Sequence, residues 1–192
     1  GTMTPEQEHS YIQQAREDPR AFVHLYDAYF PRVHAYVRYR VHNPQDAEDI
    51  IAEVFLKAMR GLRGFKWRNR HSFAAWLFRT AHNLVVDYYR RNERIAIALD
   101  PQVRAPEGLG GRRGHALLPE QALTQQETFQ HMRDLITTLS PRRQEVITLK
   151  FFGGLRNKEI ADILNLDERT VASHLSRGLQ DLRDKYITQN PV

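Results

Sequence analysis

The sequence predicts an all-α fold: two small helical domains joined by a flexible linker. Apolar residues recur at i, i+3 and i+4 along nearly every patterned segment, the spacing of a helix stripe. No alternating stretch bounded by turn signals reads as a strand, and no internal repeat is visible. A long interruption rich in proline and glycine separates two periodic halves. A loop of that length is unusual inside one compact domain, so two domains are the better account.

The first twenty residues read as an N-terminal helix or tag remnant, with Gly1-Thr2 before Met3 a cloning remnant. The first domain spans residues 21–94. Its opening helix, 21–41, carries Phe22, Leu25, Tyr26, Tyr29, Val33, Tyr36 and Val37 on one stripe. Pro31 is expected to bend or split it. Asn43 can cap the next helix, with Pro44 at its first position. That helix continues through Ala47, Ile50, Ile51, Val54, Phe55, Ala58 and Leu62, and Gly61 and Gly64 bracket its end. A basic, aromatic loop occupies 65–71. Ser72 can cap the following helix, which is expected to end near Asn92. The linker, 95–120, holds Pro101, Pro106, Pro119, Gly108, Gly110, Gly111 and Gly114. In the second domain, 121–192, helices are expected at 121–139, 141–152, 157–164 and 168–186, with Ser140 capping the second.

Composition narrows the chemistry. The 192 residues include 28 Lys and Arg against 23 Asp and Glu, a net charge of +5. An apolar share of 41% is enough for a core and argues against disorder. The absence of cysteine excludes disulfides, a thiol nucleophile and thiolate metal sites. No apolar run approaches the roughly 18 residues of a membrane span, and no signal-peptide pattern appears. A mildly basic cytoplasmic protein is expected. The histidines are scattered, without H-E-x-x-H or another supported ligand pair. Gly153-Gly154 and Gly110-Gly111 lack the strand context of a phosphate-cradling loop, and no G-x-S-x-G occurs. No enzyme activity, cofactor or metal is expected.

Residues 157–175 have the spacing of a helix-turn-helix. Ala161 supplies the small residue where the second helix crosses the first. Asn165 sits at the turn, where positive φ is common. Asp167 can cap the second helix, and Val171 and Leu175 hold it down. Its outward face is Arg169, Thr170, Ala172, Ser173, Ser176 and Arg177, short polar and basic side chains suited to a major groove.

Between Arg60 and Arg91 eight basic residues face one acid, Asp87, a local excess of seven positive charges. Aromatic rings interleave with them. Cations alone grip a duplex backbone without reading it, whereas cations with ring platforms suit single-stranded nucleic acid. Phe65, Lys66, Trp67 and Arg68 in the loop are the candidates for that contact. Arg79, Asn83, Asp87 and Arg90 follow near one helix face, at i, i+4, i+8 and i+11. Asn83 offers both a donor and an acceptor to a base edge. Asp87 can instead pair with Arg90 or Arg91. Phe73, Trp76, Leu77 and Leu84 read as core. Asp46, Asp49 and Glu53 form an acidic ridge on the 44–62 helix. Two readings fit it: favourable placement in the helix dipole, or docking on a basic partner.

Taken together these residues resemble a bacterial RNA polymerase sigma factor of the small two-domain, extracytoplasmic-function (ECF) group. Asp46-Ala47-Glu48-Asp49-Ile50-Ile51-Ala52-Glu53-Val54-Phe55 is similar to the core-polymerase-binding helix of region 2. Trp76-Leu77-Phe78-Arg79-Thr80-Ala81-His82-Asn83 is similar to its −10 recognition and melting helix. Leu139-Ser140-Pro141-Arg142-Arg143-Gln144-Glu145 and the helix-turn-helix are similar to region 4, which reads the −35 element. The resemblance implies a factor that binds core RNA polymerase, recognises −10 and −35 promoter DNA and promotes opening. It implies that the acidic ridge meets the polymerase clamp, that the loop and Asn83 hold a flipped −10 base, and that Thr170, Ser173 and Arg177 contact −35 DNA. It also implies an anti-sigma partner and a linker running toward the RNA exit path. Ala172 departs from the Lys or Arg frequent in the family, which implies −35 contacts that are fewer or differently specific. Arg112 and Arg113 in the linker are candidates for nonspecific phosphate or RNA contact. A free-standing helix-turn-helix regulator of duplex DNA is the alternative; it leaves the basic loop and the acidic ridge unexplained.

Overall fold

A computed structural model describes residues 2–99 and 120–191. The linker cations Arg112 and Arg113 lie outside the described residues. Eight α-helices follow one another without a strand among the described residues: α1 (Pro5–Glu17), α2 (Val23–Arg40), α3 (Pro44–Gly61), α4 (Ser72–Leu99), α5 (Glu120–Thr137), α6 (Pro141–Phe151), α7 (Asn157–Leu164) and α8 (Glu168–Gln189). Short 3₁₀ turns precede α2 and follow α3.

The N-terminal stretch is built into the molecule. Thr4 accepts from the Gln7 amide at 3.1 Å while the Gln7 side chain accepts from the Thr4 amide at 2.9 Å, a reciprocal capping box that starts α1. Glu8, Ile12 and Ala15 form its buried stripe. In α2 the chain stays helical through Pro31, so the expected split does not occur. Pro31 is exposed; its missing N–H removes one bond, and the flanking stripe of Tyr29, Val33 and Tyr36 holds the helix to the core. Asn43 caps α3 as expected, accepting from the Asp46 amide at 3.0 Å.

Two serine caps turn out otherwise. The Ser72 hydroxyl accepts from the amides of Arg68 and Asn69 at 3.1 and 3.3 Å and donates to the Asn69 carbonyl at 2.8 Å, so it ties the preceding loop instead of the helix. Ser140 stands at the N-cap position of α6 without a side-chain cap bond. The Gln144 amide closes that corner by donating to the Leu139 carbonyl at 2.8 Å. Helix α4 runs to Leu99, past the expected end near Asn92, with Ile95, Ile97 and Leu99 exposed.

In the C-terminal part, Asn165 takes φ 54° between α7 and α8, and Asp167 caps α8 by accepting from the Thr170 amide at 2.7 Å. Helix α8 crosses α6 where Gly178 meets Ile147, and an Arg143–Asp181 ion pair at 2.6 Å flanks the crossing.

One buried cluster joins the two halves. Tyr39 of α2 lies between Phe129 of α5 and Phe152, with ring centroids 4.6 Å from each. Arg32 sits over the Tyr29 ring and donates to the carbonyls of Phe152, at 3.3 Å, and Gly153. Arg133 donates to the Arg38 carbonyl at 2.7 Å. The α5–α8 unit is therefore folded onto α2 and α4.

Candidate nucleic-acid interface

The basic loop between α3 and α4 is held from both sides. Phe65 is only 8% exposed; its ring stacks on Trp76 at 4.8 Å and meets Phe73 edge-on. Trp67 is half-buried. One face stacks on His9 at 4.4 Å, and its indole N–H donates to Glu8 at 3.1 Å. Glu8 also accepts from the Tyr29 hydroxyl, whose titration burial and that carboxylate push well above the ordinary range. Arg16 of α1 donates to the carbonyls of Leu62, at 3.1 Å, and Phe65. The two loop aromatics thus act as anchors within the fold, because Glu8, His9 and Trp76 supply partners for them. Lys66, Arg68 and Arg70 remain exposed, and none joins an ion pair among the described residues.

Phe65, Lys66, Arg68, Trp76 and Arg79 line a cleft of about 500 Å³ whose opposite wall is α7, with Arg156, Lys158, Glu159 and Asp162. Arg156 and Glu159 pair at 2.6 Å on that wall. Arg79, Asn83, Asp87 and Arg90 are all exposed along α4, as their spacing predicts. Asp87 forms no ion pair with Arg90 or Arg91. It faces a groove of about 560 Å³ shared with Asp49, Glu53, Lys57, Arg91 and Arg94. The structure therefore groups Asp87 with the acidic ridge as much as with Asn83.

The ridge itself is divided. Asp46 accepts from the Tyr88 hydroxyl at 2.7 Å, and burial together with this bond pushes the Tyr88 titration up to about 12. Asp49 is exposed and Glu53 half-buried, so these two carry the outward charge.

In the helix-turn-helix, Val171 is fully buried while Arg169, Ala172, Ser173, Ser176 and Arg177 are exposed and Thr170 is half-buried. The Thr170 amide holds the Asp167 carboxyl below its usual range, which keeps the cap charged. The outward face of α8 is therefore presented on a capped helix.

Sequence reasoning missed Glu8, His9, Arg16 and Arg32. Glu8, Ile12 and Ala15 share one helical stripe, which marked Glu8 as inward-facing; nothing in the sequence tied it to Trp67.

The chain matches the family models Sigma-70 region 2 over residues 25–95 and Sigma-70 region 4 over residues 130–182. It is 31% identical over 176 residues to the ECF RNA polymerase sigma factor SigW of Bacillus subtilis, covering 90% of this chain and 92% of SigW. It is 31% identical over 163 residues to the ECF RNA polymerase sigma factor BldN of Streptomyces coelicolor, covering 84% of this chain but 59% of BldN. Among solved structures it is similar in fold to CnrH in complex with the cytosolic domain of CnrY, with TM-score 0.67, 21% identity and coverage of 93% and 96%. It is also similar in fold to RpoE of Bartonella quintana in complex with the anti-sigma factor NepR, with TM-score 0.65, 19% identity and coverage of 89% and 98%.

Proposed function

The chain belongs to the ECF group of RNA polymerase sigma factors, and from that premise we propose how its surfaces divide the work of initiation. It binds core RNA polymerase, directs it to −10 and −35 promoter elements and promotes opening. The bond making is left to the polymerase, and the chain itself is no enzyme. The exposed Asp49 and the half-buried Glu53 dock on the polymerase, with Asp46 braced behind them by Tyr88. Lys66, Arg68, Arg79, Asn83 and Arg90 take the opened −10 strand, with Asp87 at the margin. Phe65 and Trp67 shape the loop that carries those cations. Arg169, Thr170, Ser173, Ser176 and Arg177 meet the −35 duplex, with Ala172 offering an apolar contact. The linker between the two domains, 21–94 and 121–192, spans the distance between the elements. An anti-sigma protein holds the factor inactive in the cytoplasm, a proposal motivated by RpoE having been solved with NepR.

One observation carries this reading. An exposed helix-turn-helix face and a cation-lined loop occur on one chain, in regions 4 and 2 respectively. A stand-alone regulator needs only the first. The test is in vitro transcription with core polymerase on promoter fragments drawn from genomic DNA. Specific start sites are expected only when the protein is added. Core polymerase that neither binds the protein nor gains specificity overturns the proposal.

A further inference from the structure

Where α5 and α6 pack against α2, cations gather without acids to match. Arg40 and Arg133 are only 8% and 6% exposed, yet neither they nor Arg38 joins an ion pair among the described residues. Arg38 Nε, Arg40 Nη1, Arg133 Nε and His82 Nδ1 are buried without a hydrogen-bond partner, and the buried Tyr36 hydroxyl lies against Arg40. His82 feels Arg40 from α2, Arg142 from α6 and Arg79 from its own helix. His42, just beyond α2, feels Arg133 and Arg40. The nearby acids are few: Asp134 of α5 acts on His42 and Arg133, and Glu145 of α6 on Tyr36.

A buried guanidinium with unfilled donors is costly, because water is lost and no carboxylate replaces it. Such a cluster is stable only while the rest of the crossing compensates. It is also a set of donors awaiting acceptors. Its position selects the acceptor: His82 adjoins Asn83 and follows Arg79 on the helix proposed to meet the −10 strand. We propose that Arg38 and Arg40, with His82 at their edge, form a latent phosphate-binding site for promoter DNA. In the closed arrangement α5 and α6 cover it, and it is bared when the α5–α8 unit lifts away. Planar guanidinium forks suit the paired oxygens of a phosphate, and mutual repulsion across the crossing favours opening. This inference rests on the chain being an initiation factor.

The test measures promoter binding by holoenzyme, reconstituted from core polymerase and the full chain, between 50 and 200 mM salt. Removing one phosphate contact lowers the slope of log affinity against log salt by about 0.9. Across that fourfold salt range, wild type should therefore lose about 3- to 4-fold more affinity than Arg38→Gln or Arg40→Gln. Arg40→Lys should keep the wild-type slope, and Arg20→Gln, an exposed cation paired with Asp18, should leave it unchanged. Glutamine variants that bind more weakly but keep the wild-type slope overturn the site, as does a lysine variant that loses the slope like glutamine. If the slopes coincide while wild type still directs specific starts, the latent site fails and the initiation-factor reading stands. If wild type directs none, that reading itself fails.

Discussion

The Glu8 carboxylate, 5% exposed, receives the Tyr29 hydroxyl and the Trp67 indole together. Trp67→Phe keeps a ring against His9 but removes the N–H, leaving a buried carboxylate oxygen short of a donor. Chemical denaturation should show a loss of about 1–3 kcal/mol. An unchanged midpoint would mean that the bond contributes nothing. His82 gives a second test. Burial first, then Arg40, Arg142 and Arg79, hold its titration down to about 4, against an ordinary 6.5. Folded His82 stays neutral where the unfolded chain takes up a proton. Its contribution to stability is therefore full above about pH 6.5 and declines as pH falls toward about 4, by at most about 1.4 kcal/mol per pH unit. His42, His71 and His174 are shifted the same way. Thermal melts should fall as pH drops from 7.5 to 5, and His82→Gln should flatten part of that fall; an unflattened curve would exclude His82 as a contributor. At this scale the sequence displayed the exposed set on α4 and α8, because helical spacing alone puts those side chains outside. It could not display the fate of Phe65 and Trp67. Their partners Trp76, Glu8 and His9 come from other elements, and an aromatic in a polar loop looks alike whether buried or free.

Among the elements, caps and breakers decided where sequence reading succeeded. Asn43, Asn165 and Asp167 do what their positions predict, since each acts on backbone within a few residues. Ser72 does not, because the loop amides of Arg68 and Asn69 take its hydroxyl, and Ser140 holds the N-cap position without a side-chain bond. Gly153 shows how tightly the corner after α6 is built. A Cβ there would lie 2.4 Å from the Leu149 carbonyl oxygen and 3.2 Å from Leu155. Gly153→Ala should destabilise the protein by about 1–3 kcal/mol, read by denaturant titration, because the obstacle is backbone. A neutral outcome would show that the corner relaxes freely.

At the scale of the whole molecule, the two halves were legible from the interruption between them, but their contact was not. Tyr39, Arg32 and Arg133 meet partners ninety or more residues away, and no local pattern encodes such pairings. Arg32 makes bonds that exist only while the halves are together. Arg32→Ala should remove about 1.5–3 kcal/mol of closure, a shift of roughly 10- to 150-fold toward the open form. The absence of native cysteine makes this directly measurable. Dyes placed through Gln13→Cys and Gln189→Cys should transfer energy less efficiently in the Arg32→Ala background, and less again with core polymerase. Equal transfer in both backgrounds would show that Arg32 does not hold the halves together.

Both tryptophans of the chain, Trp67 and Trp76, sit at the basic loop, one against His9 and the other against Phe65. Tryptophan emission, excited selectively, therefore reports on a single patch of this molecule. Strand capture at that patch, as proposed, would be visible without any label, and melting curves followed by emission and by helicity separate whenever the loop and the helix-turn-helix unfold apart.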